Sequence, residues 1–203
     1  MMRGLTVAVL VSIIIPAPVF AQNPEAVPRA IQLPDTMGAN FAAADTLTGT
    51  SGPADFDFLL GTWRFTFQSR RRDGSFVPAF TGHWVFSKKQ TGGQGVLLED
   101  HWRPDDASST WDAGTWTYRA YNPARKIWEM EGINTTVGAW LPGLMWTAGD
   151  SRLLTEWYGS MLVRFRYFAI KPDEFLWRAD ATFDRGKTWI PDYWTMEVHR
   201  IAR

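Results

Sequence analysis

The stretch from Asp55 to Phe67, DFDFLLGTWRFTF, limits the fold more than any other part of this chain. An apolar entry of Phe56, Phe58, Leu59 and Leu60 runs into Gly61-Thr62-Trp63. Strict alternation follows, with Arg64, Thr66 and Gln68 on one side and Phe65 and Phe67 on the other. A period of two over this length marks a strand with one buried face. A glycine just before the tryptophan lets another segment approach closely, as at the closed end of a barrel. Gly61 and Trp63 are therefore read as structural anchors.

From Phe56 onward, strand-like segments recur with turn signals between them. Residues 79–88 set Phe80, Trp84 and Phe86 against Thr81, His83 and Val85. Residues 94–103 set Val96, Leu98, Asp100 and Trp102 against Leu97, Glu99 and His101. Residues 115–121 and 126–133 form a hairpin about Asn122-Pro123, a favourable turn pair. Four further strands are expected at 152–158, 161–170, 174–183 and 192–201. Residues 134–149, broken by Gly138, Pro142 and Gly143, read as a rim loop. No long stretch carries apolar residues at helical spacing.

The expected fold is all-β, an antiparallel up-and-down barrel of roughly eight to ten strands. Closure removes exposed strand edges, and that strand number leaves room for one small ligand.

Several pieces carry a resemblance. Gly61-Thr62-Trp63 at the start of a first strand is similar to the signature of the calycins, the lipocalin and fatty-acid-binding group. The FDFLLGTW entry, Leu98-Glu99-Asp100-His101-Trp102, residues 121–128 (YNPARKIW) and residues 183–189 (FDRGKTW) together resemble the bacterial domain-of-unknown-function family 1579. The resemblance spans residues 55–203 and implies a lipocalin-like barrel; that family has no settled activity.

Residues 1–21 read as a secretory signal: Arg3, an apolar run from Leu5 to Ile15, and Val19-Phe20-Ala21 as cleavage site. Residues 22–53, rich in Pro, Ala, Gly and Thr, read as a flexible leader, and 54–203 as the barrel domain. The expected location is periplasmic or secreted, with no membrane insertion after cleavage. The chain has no cysteine, which excludes disulfides, thiolate metal sites and a lipid anchor at the cleavage site. Lys plus Arg and Asp plus Glu are equal at 21 each, so no charge excess points to nucleic acid.

Twelve tryptophans and thirteen phenylalanines must fill a core or line a cavity. The expected ligand is a small hydrophobic or aromatic molecule held by Phe65, Phe67, His83, Trp84, Trp102, Trp116, Trp128, Trp157 and Trp177. Glu99 and His101 share a strand face; if it turns inward they become a candidate acid–base pair, and if outward a solvated pair. His83 beside them would complete a face of two imidazoles and a carboxylate, but no tight ligand spacing supports a metal. His199 stands near the C-terminal end, where the distantly related nitrobindins hold haem iron. The surrounding motif departs from that family, and pairing of His199 with Glu197 is the simpler expectation. No cofactor is expected. Arg178 or Arg200 is expected to stack on Trp63. There is no Gly-x-Ser-x-Gly elbow and no phosphate-cradling loop, which disfavours serine hydrolysis and nucleotide binding. Three functions remain open: a carrier, a cofactor-free isomerase, cyclase or hydrolase, and a structural or envelope-interaction module.

Overall fold

A computed structural model describes residues 50–90, 95–105, 114–134 and 138–203. The expected signal at 1–21 and the leader up to residue 49 lie outside the described residues. Ten strands follow in order: β1 Gly61–Ser69, β2 Phe80–Gln90, β3 Val96–Pro104, β4 Thr115–Asn122, β5 Ile127–Asn134, β6 Ala139–Ala148, β7 Ser151–Tyr158, β8 Met161–Phe168, β9 Glu174–Thr182 and β10 Ile190–Ala202. Each pairs antiparallel with the next, and β10 closes on β1. This is the up-and-down barrel that the alternation predicts, of the lipocalin-like kind that the resemblance implies.

One end is stoppered by the entry segment. A single 3-10 turn, Asp57–Leu59, tucks Leu59 under the barrel floor beside the buried Phe56. Phe56 meets Trp128 edge-on at 5.7 Å, and Phe58 meets Phe175 at 5.5 Å. Trp63 is fully buried, and its indole N–H donates to the Leu59 carbonyl at 2.6 Å. The Arg200 guanidinium lies 3.9 Å above the Trp63 ring. Its nitrogens also donate to the carbonyls of Phe58, at 2.9 Å, and of Leu60. Arg178, the other expected partner of Trp63, lies beside Phe168 instead. Gly61 has φ 113°, and a Cβ there would sit 2.5 Å from the Ala202 carbonyl, so strand closure requires the glycine.

The floor also captures residues before the expected domain boundary. Ser51 N–H donates to the Lys126 carbonyl at 2.7 Å, and Tyr121 Oη donates to the Ser51 carbonyl at 2.8 Å. Trp128 Nε1 reaches the Gly52 carbonyl at 3.1 Å. The last residues of the expected leader are thus bonded to the β4–β5 hairpin.

Residues 139–148 form β6, where a rim loop was expected. Pro142 is tolerated because it stands opposite Glu131 on β5, while the ladder to β7 begins only at Gly143. Its missing N–H therefore breaks no bond to β7. Gly143 is a close approach rather than a turn, since a Cβ there would lie 2.6 Å from the Thr155 carbonyl.

Candidate ligand cavity in the barrel core

Alternation decides what faces inward. On β3 the buried residues are Leu98, Asp100 and Trp102; on β4, Thr117 and Arg119 are buried while Trp116 and Tyr118 are exposed. β7 turns Leu154, Glu156 and Tyr158 toward the core, and β8 turns Phe165 and Tyr167. Rings from both halves interlock. Phe65 stacks on Trp102 at 4.8 Å, and Phe165 stacks on Trp177 at 4.8 Å. A cavity of about 80 Å³ remains in the half away from the floor. That volume holds a few waters, about half the ~150 Å³ cavity that takes a benzene, so a flat molecule would place only its reacting end inside and leave the rest at the open mouth.

Apart from Thr115 and Thr117, the polar residues of the cavity wall gather in one cluster. Asp100 Oδ1 accepts the Trp84 indole N–H at 2.5 Å, and Asp100 Oδ2 faces Arg119 Nη1 as an ion pair. Both ionic side chains are essentially buried, Arg119 at 2% exposure and Asp100 at 1%. Glu156 Oε2 accepts the Tyr158 hydroxyl at 2.8 Å. Burial pushes the Glu156 carboxyl up to about 8, although the Tyr158 hydrogen bond and the Arg119 charge pull the other way. Tyr158 is raised well above the ordinary phenol range by the same burial, with Glu156 adding to it. Burial also raises Tyr167, against the opposing charge of Arg119 and the Trp177 indole N–H. Arg119 itself is lowered by desolvation.

Besides Arg119 Nη1, which faces Asp100 Oδ2 in the ion pair, three donors of this cluster make no bond of full hydrogen-bond geometry: Arg119 Nε, Tyr167 Oη and Trp177 Nε1. Tyr167 Oη lies against both the Arg119 guanidinium and the Trp177 indole N–H, which act on it as hydrogen-bond donors although neither contact reaches full hydrogen-bond geometry. All three side chains line the cavity. Buried polar groups are normally paired, so these incompletely satisfied donors, from β4 on one side and β8 and β9 on the other, mark a place for an acceptor between them.

Of the aromatic residues expected to hold ligand, Phe67, Trp84, Trp102 and Trp177 line the cavity. Phe65 is buried behind Trp102, and Trp128 is buried at the floor against Phe56. Trp116 lies on the outer surface, its ring stacked on His101 at 4.2 Å. Trp157 stands between Glu156 and Tyr158 on the outward side of β7. His83 is also outward, its Nδ1 2.7 Å from Asp105 Oδ1. Asp105, held below the usual carboxylate range by Thr81 and then by His83 and Arg64, belongs to an exterior cluster.

Glu99 and His101 face outward, the solvated alternative of the two sequence readings. Glu99 lies 3.7 Å from Lys89, and His101 covers Trp116. Asp100, between them, takes the inward place. His199 is exposed and lies 3.8 Å from Glu174, its cross-strand neighbour, rather than pairing with Glu197. Partners directly across a ladder are closer than residues two apart on one strand. Among the described residues, no group of three His, Asp or Glu has the arrangement of a metal site.

Sequence reasoning missed Arg119, Glu156, Tyr158 and Tyr167. The available signal was a charged residue whose neighbours two positions away are apolar or small: Glu156 lies between Leu154 and Tyr158, and Asp100 between Leu98 and Trp102.

No family model matches the chain, and no curated protein matches it in sequence. Among solved structures it is similar to the S-type phycobiliprotein lyase CPES from Guillardia theta, with TM-score 0.52 and 11% identity over 79% of this chain and 97% of that one. It is also similar to Rv2717c from M. tuberculosis, with TM-score 0.43 and 12% identity over 75% of this chain and 99% of that one. A redesigned β-barrel, mFAP1, solved with DFHBI bound, matches with TM-score 0.34 and 14% identity over 71% of this chain and 96% of that one. At such identities the first likeness speaks to the fold alone. The chain is a lipocalin-like barrel.

Proposed function

We propose that the protein is an exported carrier for one small, flat, unsaturated molecule, gripped in the barrel by a carbonyl oxygen. The observation that carries this reading is the trio Arg119 Nε, Tyr167 Oη and Trp177 Nε1, which reaches into the cavity from β4 on one side and β8 and β9 on the other and whose contacts with one another fall short of full hydrogen-bond geometry. Each buried donor left unpaired costs about 1–3 kcal/mol, which a bound acceptor relieves. The charge balance favours a neutral acceptor. Arg119 already faces Asp100, and Glu156 keeps its proton at neutral pH, so a ligand carboxylate would add an uncompensated buried charge. The rings of Trp102, Phe165 and Trp177 supply flat apolar walls. Export is proposed from the signal-like residues 1–21, and kinship with family 1579 from the matching sequence pieces.

The test is a matched pair of probes, 2-tetralone and its hydrocarbon analogue tetralin, titrated by tryptophan quenching. Two hydrogen bonds of about 0.5–1.5 kcal/mol each should make the ketone bind roughly tenfold tighter or more. Trp177→Phe and Tyr167→Phe should narrow that gap. Equal affinities would reduce the site to apolar packing, and no binding of either probe would leave a filled structural core.

A further inference from the structure

We infer that Glu156 is a catalytic acid–base group that moves a proton on a carbonyl compound held between Arg119, Tyr167 and Trp177. This rests on the carbonyl-ligand reading above. Glu156 is 6% exposed and lines the same cavity as the three incompletely satisfied donors. Its carboxyl is held from two sides. Oε2 accepts the Tyr158 hydroxyl at 2.8 Å, and Oε1 lies in the slot left by Gly132, where a Cβ would stand 3.2 Å away.

Among the described residues no cation forms an ion pair with this carboxyl, although the Arg119 charge acts on it from a distance. The nearby guanidinium, Arg119, is committed to Asp100. A site that only stored an apolar molecule would be more stable with Gln or Leu here, because burying an unpaired acid is unfavourable. An acid kept in a cavity, free of a salt bridge and beside incompletely satisfied donors, is the arrangement of a proton-transfer site. Its pKa of about 8 keeps it mostly protonated at neutral pH with a minor carboxylate fraction that grows as pH rises, and that fraction is the form that takes the proton.

The chemistry closes without a co-reactant. The Glu156 carboxylate removes a proton from the carbon next to the ligand carbonyl. The C–H electron pair becomes a C=C bond, and the C=O π pair moves onto oxygen. The resulting enolate oxygen meets the N–H of Arg119, the O–H of Tyr167 and the N–H of Trp177, donors fixed before the charge develops. Glu156 then returns the proton. Delivery to the same carbon regenerates the ketone; delivery to the far end of a conjugated system yields the double-bond isomer. Tyr158 acts through Glu156 as a positioning residue.

The probe is 2-tetralone in D2O, with loss of its benzylic α-protons followed by proton NMR and binding read from tryptophan quenching in the same samples. The wild-type chain should exchange them about 10²-fold or more faster than buffer. Glu156→Gln should fall to the buffer rate while its affinity stays within about threefold, well under the 1.4 kcal/mol that marks one decade. Tyr158→Phe should still exchange, with the midpoint of its pH profile moved upward, because Tyr158 holds the Glu156 pKa down. The other charged or titratable groups coupled to Glu156 are Arg119 from β4, Glu131 from β5 and Tyr167 from β8, and all three remain in that variant. A bound ketone that exchanges no faster than buffer, or equal rates in wild type and Glu156→Gln, would overturn the acid–base role and leave the carrier reading standing. Failure of the ketone to bind at all would overturn both.

Discussion

Tyr158 donates its hydroxyl to Glu156 inside the barrel, 2.8 Å from one carboxyl oxygen, and the carboxyl still stays protonated to about pH 8. Burial outweighs the hydrogen bond. The consequence for stability has a definite sign. Below about pH 4.5 both folded and unfolded chains carry the proton, and Glu156 contributes no pH dependence. Between about pH 4.5 and 8 the unfolded chain has lost a proton that the folded chain keeps, so stability falls as pH rises. The full span corresponds to an upper bound of ~5 kcal/mol. Glu156→Gln should remove this slope, gaining on wild type steadily from pH 5 to pH 8 in urea unfolding. Parallel pH profiles for the two proteins would contradict it.

Asp100 and Arg119 should behave as a unit. Removing either one leaves the other charged and buried, which costs roughly 3–5 kcal/mol. Asp100→Leu and Arg119→Met are each expected to unfold at much lower urea. The double variant should be more stable than the sum of the two singles predicts. Additive losses in that double-mutant cycle would mean the two groups are not coupled across the core.

Trp63 is fixed by the Leu59 carbonyl, the Phe175 ring and the Arg200 guanidinium. Trp63→Ala should cost roughly 3–5 kcal/mol, and Arg200→Met less, because the methylene stem still covers the ring. Wild-type urea midpoints in both variants would show that the floor does not depend on this stack.

The barrel was legible because β1, β2 and β3 carry a clean period of two, with rings on the inward side. The same rule misdirected the site on β4 and β7. There the large rings, Trp116 and Trp157, take outward positions, while Arg119 and Glu156 point in. Ring content therefore suggests the wrong face on those strands. β6 was hidden by Pro142 and Gly143, whose tolerance depends on where the β7 ladder begins. That is a property of the closed sheet and is not carried by the local sequence. The captured segment at Ser51 and Gly52 was equally invisible, because its partners lie some seventy residues away on β4 and β5.

The central claim is that a carbonyl oxygen sits between the donors of the cavity. The Trp177 indole N–H reports on this directly, and its resonance in the ¹⁵N-labelled protein can be assigned from its loss in Trp177→Phe. Adding 2-tetralone should move that signal downfield, as a new hydrogen bond forms, while tetralin should leave it near its starting position. If both compounds shift it alike, or the ketone leaves it unmoved while binding in the barrel, no acceptor sits at Trp177 and the account is contradicted.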